Sequence, residues 1–185
     1  MQTTYKTGRC DRRHARAMSE TTTTITSPTV STDSTVAVAA AVAGDAEAPV
    51  RFDTKIAVLL RADLETWQRL NVTAFLVSGL GSQVPEVIGE PYEDADGVGY
   101  LPMFRQPVLV FEGTKETLKA AHTRALSRAL PRAVFTSDLF ATGHDRANRA
   151  AVRAVTTAEL DVVGIAVHGP KNAVDKVLKG ARMHP

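Results

Sequence analysis

Lys55 to Leu64 reads KIAVLLRADL, and this stretch decides the fold. Lys55 to Leu60 is a short, nearly continuous apolar run. That is the pattern of a strand buried on both faces. Arg61-Ala62-Asp63 breaks the run, and Asp63 is a suitable residue to cap a helix. The spacing then predicts a helix over Leu64 to Leu80, with Trp67 and Leu70 in its first half. The second half, Val72 to Leu80, is apolar almost all round, which predicts burial on every side. Asn71 stands at the start of that half. Buried amides are paired, so Asn71 is expected either to satisfy backbone groups or to face a ligand.

Further along the chain, Gly81 to Pro107 holds four prolines and five acids with little periodicity. It reads as a long loop, a length that favours function, with a short strand within Val98 to Met103. Val108 to Phe111 is a second apolar strand, and Thr114 can cap the helix after it. Leu118, Ala121, His122, Ala125 and Ala129 repeat at helical spacing, and Pro131 ends that helix. Ala133 to Thr136 is a third strand. Thr142-Gly-His-Asp145 matches a capping box in its Asp form, so helix is expected to Val155. Val162 to Val167 is a fourth strand, and Asn172 to Leu178 suits a short terminal helix. Strands alternating with helices predict a mostly parallel sheet covered on both faces.

Residues 1–51 are rich in Thr, Ser and Ala and cannot bury enough surface to offset the entropy of ordering. The expected organisation is a disordered tail over 1–51 and one α/β domain over 52–185. The first eighteen residues are basic and precede a Thr/Ser run, the composition of an organellar transit peptide; a disordered arm or a start at Met18 is the plainer reading. With 44% hydrophobic but only 5% aromatic residues, the core must rest on aliphatic side chains. Cys10 is the sole cysteine, which excludes an intrachain disulfide and fits a reducing, cytoplasmic setting. The longest apolar run of the tail, Val36 to Ala43, is far too short to span a bilayer. A net charge of +2 is too small to imply nucleic acid by itself.

Three blocks carry a family resemblance: Lys55 to Leu80, Gln106 to Val152 and Leu160 to Pro185. The most specific pieces are DLETWQRLNVTAFL from Asp63, EPYEDADG from Glu90 and FATGHDRANRAAV from Phe140. Together they resemble the domain-of-unknown-function family numbered two thousand, over nearly the whole folded segment. That family is similar in fold to type II peptidyl-tRNA hydrolases. The resemblance implies a three-layer α/β/α sandwich around a four-stranded mixed sheet. Arg61, Asp63 and Leu64 resemble the hydrolase turn after its first strand, and Gly169-Pro170 with Asp175-Lys176-Val177 resembles its C-terminal segment. The hydrolase's lysines are missing, however: the matching turn reads Glu65-Thr-Trp-Gln-Arg-Leu-Asn71, and Phe75 stands near its glutamine position. A shared scaffold does not license a shared reaction. The expectation is a small-ligand-binding or regulatory domain on that scaffold.

In open α/β sheets ligands bind beyond the carboxyl ends of the strands. Those ends are Arg61 to Asp63, Glu112 to Thr114 and Thr136 to Asp138. Ligand-binding candidates are Asn71, Thr136, Thr142, Gly143 and Asn148, the last three around a helix start whose free N–H groups suit an anion. The enzyme alternative is an ester or amide hydrolase with Asp63, Asp138 and His144 as acid/base groups, His144 lying at the second helical position. The RNA-binding alternative uses Arg146, Arg149 and Arg153, which share one helix face at i, i+3 and i+7; a solvated face is the ordinary reading of such a stripe. The acidic loop fails the EF-hand pattern; a hard-cation site is the sharper reading of its carboxylates and a solvated loop the ordinary one. No nucleotide, zinc or serine-hydrolase motif occurs, so no cofactor or metal is expected. The partners left open are a small anionic ligand, RNA and a second copy of the chain, with no membrane.

Overall fold

The computed structural model describes residues 50–185. The expected tail, except for its last two residues, lies outside the described residues. In chain order the elements are β1 (Thr54–Arg61), α1 (Thr66–Gln83), β2 (Tyr92–Glu93), β3 (Gly99–Tyr100), β4 (Val108–Gly113), α2 (Lys115–Ser127), β5 (Arg132–Thr136), α3 (Asp145–Arg153), β6 (Val162–Pro170), α4 (Lys171–Val177) and β7 (Arg182–Met183). Two 3-10 turns, Pro85–Val87 and Ser137–Ala141, complete the set.

The main sheet has five strands in the order β5-β6-β1-β4-β7. The fifth, β7, was not expected: it is only two residues long and pairs with Phe111 and Glu112. The expectation of a mostly parallel sheet is also corrected. Only the β1–β4 pair is parallel; β1–β6, β5–β6 and β4–β7 are antiparallel. β1, β4 and β5 nonetheless run in the same direction, as alternating strands and helices require. β6 inserts between β5 and β1 from the opposite direction. Val162 to Gly169 are all buried, so β6 reads as apolar as a parallel strand would.

β1 divides the core. Ile56, Val58 and Leu60 pack with Val72, Leu76 and Leu80 of α1 on one face. Ala57 and Leu59 pack with Leu118, Ala121 and Ala125 of α2 and with Val174 and Val177 of α4 on the other. The period of two along β1 therefore builds both outer layers of the sandwich. α1 lies close to β6: a Cβ at Gly164 would meet Val72 Cγ1 at 2.5 Å and Leu76 Cδ1 at 3.0 Å.

Helix ends follow local chemistry, with two changes from expectation. Glu65 rather than Asp63 precedes α1, and its N–H donates to Gln68 Oε1 at 2.9 Å. Asp63 is instead drawn to Arg61 Nε at 2.7 Å. Thr114 caps α2 as expected, accepting from the Thr117 N–H at 3.3 Å. The burial predicted all round the second half of α1 is not found. Val72, Leu76 and Leu80 are buried, while Phe75 is 52% exposed and Asn71 is exposed. α1 is an outer layer, so only one stripe of it meets the sheet.

The segment between α1 and β4 holds the first 3-10 turn, a β2–β3 hairpin and an isolated bridge between Ile88 and Phe104. Among the described residues no helix is long and apolar enough to cross a membrane.

Candidate functional site

β1, β4 and β5 end at the same side of the sheet, and β6 begins there. This brings Arg61, Lys115, Ser137 and Asp161 together. Arg61 Nη1 lies 3.1 Å from both carboxylate oxygens of Asp161, and Lys115 Nζ lies 2.8 Å from one of them. Burial pushes the Asp161 carboxyl up, but hydrogen bonds from Lys115, Ser137 and Arg61 outweigh it and hold the pKa at about 2. Burial works to lower the Arg61 pKa, yet its bonds to Asp63 and Asp161 leave it above the ordinary value. The strand ends thus meet where expected, but their charges satisfy one another. Asp161 and Lys115 are the members that sequence reasoning missed.

The acid/base candidates stand apart in their bonding. Asp63 is the second partner of Arg61. Asp138 is exposed in the second 3-10 turn. His144 is the N-cap of α3, not its second residue, and Nδ1 accepts from the Ala147 N–H at 3.2 Å. A nitrogen that accepts this bond is engaged in the cap. Among the described residues no hydrogen bond links Asp63, Asp138 and His144.

The ligand-binding candidates divide likewise. The Thr142 hydroxyl lies 2.8 Å from Leu139 O and also against Asn148 Oδ1, its one proton serving either acceptor, and these contacts fix the entry to α3. Gly143 is exposed, and a Cβ there would touch nothing. Thr136 is fully buried with an unpartnered Oγ1. Asn71 is exposed on the far side of α1, away from the role of a buried amide. Of the arginine stripe, Arg149 is paired with Asp145, Arg149 and Arg153 line a shallow groove of about 460 Å3 with Asn148 and Val152, and Arg146 is exposed.

In the acidic loop Asp94 Oδ1 accepts from the Asp96 and Val98 N–H groups, each at 3.0 Å, and Tyr100 donates to Oδ2 at 2.8 Å. The hairpin turn consumes the carboxylate, and these bonds hold its pKa below the ordinary value. Among the described residues no group of three His, Cys, Asp or Glu side chains is gathered as a metal would require.

A larger concavity lies beside α1, at the β4 edge of the sheet. It measures about 610 Å3 and is walled by Leu60, Leu70, Ala74, Val108, Val110 and Met183. Arg69, Thr73 and His184 supply its polar groups. Arg69 is the only charged residue of α1. It donates to Leu64 O at 2.9 Å, to Ala62 O, to Glu112 Oε2 at 2.8 Å and to His184 Nε2 at 3.1 Å. Glu112 is 6% exposed and receives Arg182 at 2.6 Å on its other oxygen. The Arg69 bond lowers the Glu112 pKa against burial, with Arg182 adding to the effect. Arg69 and Arg182 thus share the single Glu112 carboxylate, and of the three only Arg69 lines the groove. The sequence held two signals for it: an acid within the apolar run VLVFEG, and one arginine in an otherwise uncharged helix. Neither names its partner.

The profile of a protein family described as "Protein of unknown function (DUF2000)" matches residues 54–185. No curated protein matches the chain. A solved structure of a protein of unknown function from Agrobacterium tumefaciens strain C58 is similar, with a TM-score of 0.70 and 46% identity, covering 73% of this chain and 100% of that one.

Proposed function

The chain belongs to the DUF2000 family, and on that premise we propose that it is a binding domain for a small amphipathic anion, held in the groove beside α1. The observation that carries this reading is the groove itself. It has about 610 Å3 of apolar-walled space with its polar groups gathered around Arg69. Small-molecule sites have this size and this economy of polar groups. Leu70, Val108 and Val110 would take the apolar body of the ligand. Arg69, the arginine among the residues lining the groove, would favour an acidic head. The type II peptidyl-tRNA hydrolase scaffold is part of this proposal, supported by the sequence resemblance and by a mixed sheet between helical layers. A cytoplasmic setting is supported by the single cysteine. A hydrolase built on Asp63, Asp138 and His144 is not favoured, because the first is held by Arg61 and the third caps α3.

Titration calorimetry of the full chain with decanoate, and with decanol and decylamine as controls, tests the proposal. Decanoate is expected to bind best, with a negative heat-capacity change. A folded Thr73→Trp variant, which fills the groove, should lose that binding. No binding by any of the three, or equal binding by the filled variant, overturns the reading.

A further inference from the structure

α1 carries a second feature that the groove explains only in part, since Leu70 and Ala74 border the groove and the rest of the stripe does not. Its outward side presents Trp67, Leu70, Asn71, Ala74, Phe75 and Ser78, all exposed. Trp67 is 59%, Leu70 70% and Phe75 52% exposed. The positions recur at three- and four-residue steps, so they form one continuous stripe along the helix. No residue of the stripe is charged, although 23% of the chain is. The helix's single charge, Arg69, is turned away and bound to Glu112.

We infer that this face is where a second copy of the chain docks, α1 against α1 about a two-fold axis. A two-fold contact sets a surface against itself, so every charge near the axis meets its own kind. Like charges so placed are repelled. A long exposed stripe without charge escapes that penalty, whereas it offers a charged partner nothing to pair with. Ala74 and Ser78 are small and permit the close approach of two helix axes that ridges-into-grooves packing needs. The two rings are also held in place: Trp67 packs edge-on against Phe140 with centroids 5.8 Å apart, and Phe75 against Phe135 at 5.7 Å. Rigid exposed rings lose little freedom when covered. A stable interface buries roughly 800 Å2 per partner, and a covered aromatic side chain supplies about 150–250 Å2. Two half-exposed rings, Leu70 and their smaller exposed neighbours reach that order.

Sedimentation equilibrium of the full chain, from micromolar towards millimolar concentration, reads the result. The expected mass is twice the 19.8 kDa of the chain. The double variant Asn71→Arg, Ser78→Arg places charge on the stripe at two exposed positions and should sediment as a monomer with unchanged circular dichroism. A wild-type monomer throughout the range overturns the inference and assigns the face to another occupant. A dimer that survives in the double variant also overturns it, because the contact then lies elsewhere. Asn71 and Ser78 do not line the groove, so decanoate binding by the same variant is scored separately from its mass.

Discussion

Arg61 grips Asp161 across one hundred residues of chain, with Nη1 3.1 Å from each carboxylate oxygen. The contact ties the end of β1 to the start of β6. Lys115, at the start of α2, joins the same carboxylate. Three elements that meet at one side of the sheet are therefore fastened through a single side chain.

Asp161 makes folding dependent on acid. Its pKa of about 2 lies below the ordinary 3.8. A carboxyl lowered in the folded state contributes its full stability above the ordinary value, and that contribution is lost as pH falls towards the folded value. Asp161→Asn should cost about 1–2 kcal/mol at neutral pH. Urea denaturation of both proteins at descending pH checks it. The gap should narrow between pH 3.8 and 2; a gap that stays constant over that interval contradicts the assignment.

Glu112 should matter far more than either count of its salt bridges suggests. It is buried between Arg69, with 20% of its side chain exposed, and Arg182, with 77% exposed. Glu112→Gln leaves the Arg69 guanidinium without its counter-charge and should lower stability clearly more than loss of Arg182 does. Arg182→Ala removes an exposed partner and should cost less than about 1 kcal/mol. Thermal unfolding of the two variants is expected to differ accordingly, and equal effects would show that burial is not what gives the cluster its weight.

Gly164 is a point of close approach. Gly164→Ala drives a methyl into Val72 Cγ1, at 2.5 Å before any relaxation. Overpacking of this kind costs about 1–3 kcal/mol. Val72→Ala opens a cavity when made alone, yet in the double variant it should recover part of the Gly164→Ala loss. A double-mutant cycle measures the coupling; strictly additive effects would mean that the two sites do not touch.

His144 is expected to act as a cap. His144→Asn keeps a side chain that can accept from the Ala147 N–H, and should leave stability nearly unchanged. His144→Ala abandons that N–H and should cost about 1 kcal/mol. If both variants fold equally well while a catalytic rate, once known, falls in both, the cap is not the function of this histidine.

Local pattern reached the elements, and tertiary placement decided their use. The apolar runs at Ile56, Val108, Ala133 and Val162 and the Thr114 cap were legible because burial on both faces and capping each leave a mark within a few residues. The direction of β6 was not legible: a strand buried on both faces reads the same whether its neighbours are parallel or antiparallel. β7 is too short to carry any periodicity. Sequence also placed a candidate site at the strand ends that the fold brings to one side of the sheet. It could not show that Asp161 already occupies the cations there, since that partner lies one hundred residues from Arg61. The groove beside α1 was hidden for the same reason. Arg69, Glu112 and His184 span 115 residues of chain and meet only once β4 lies beside β1 and β7 closes the edge. Periodicity reports what each segment must bury. Which buried or charged group it then meets is set by long-range packing, and that is where this protein's candidate site was made.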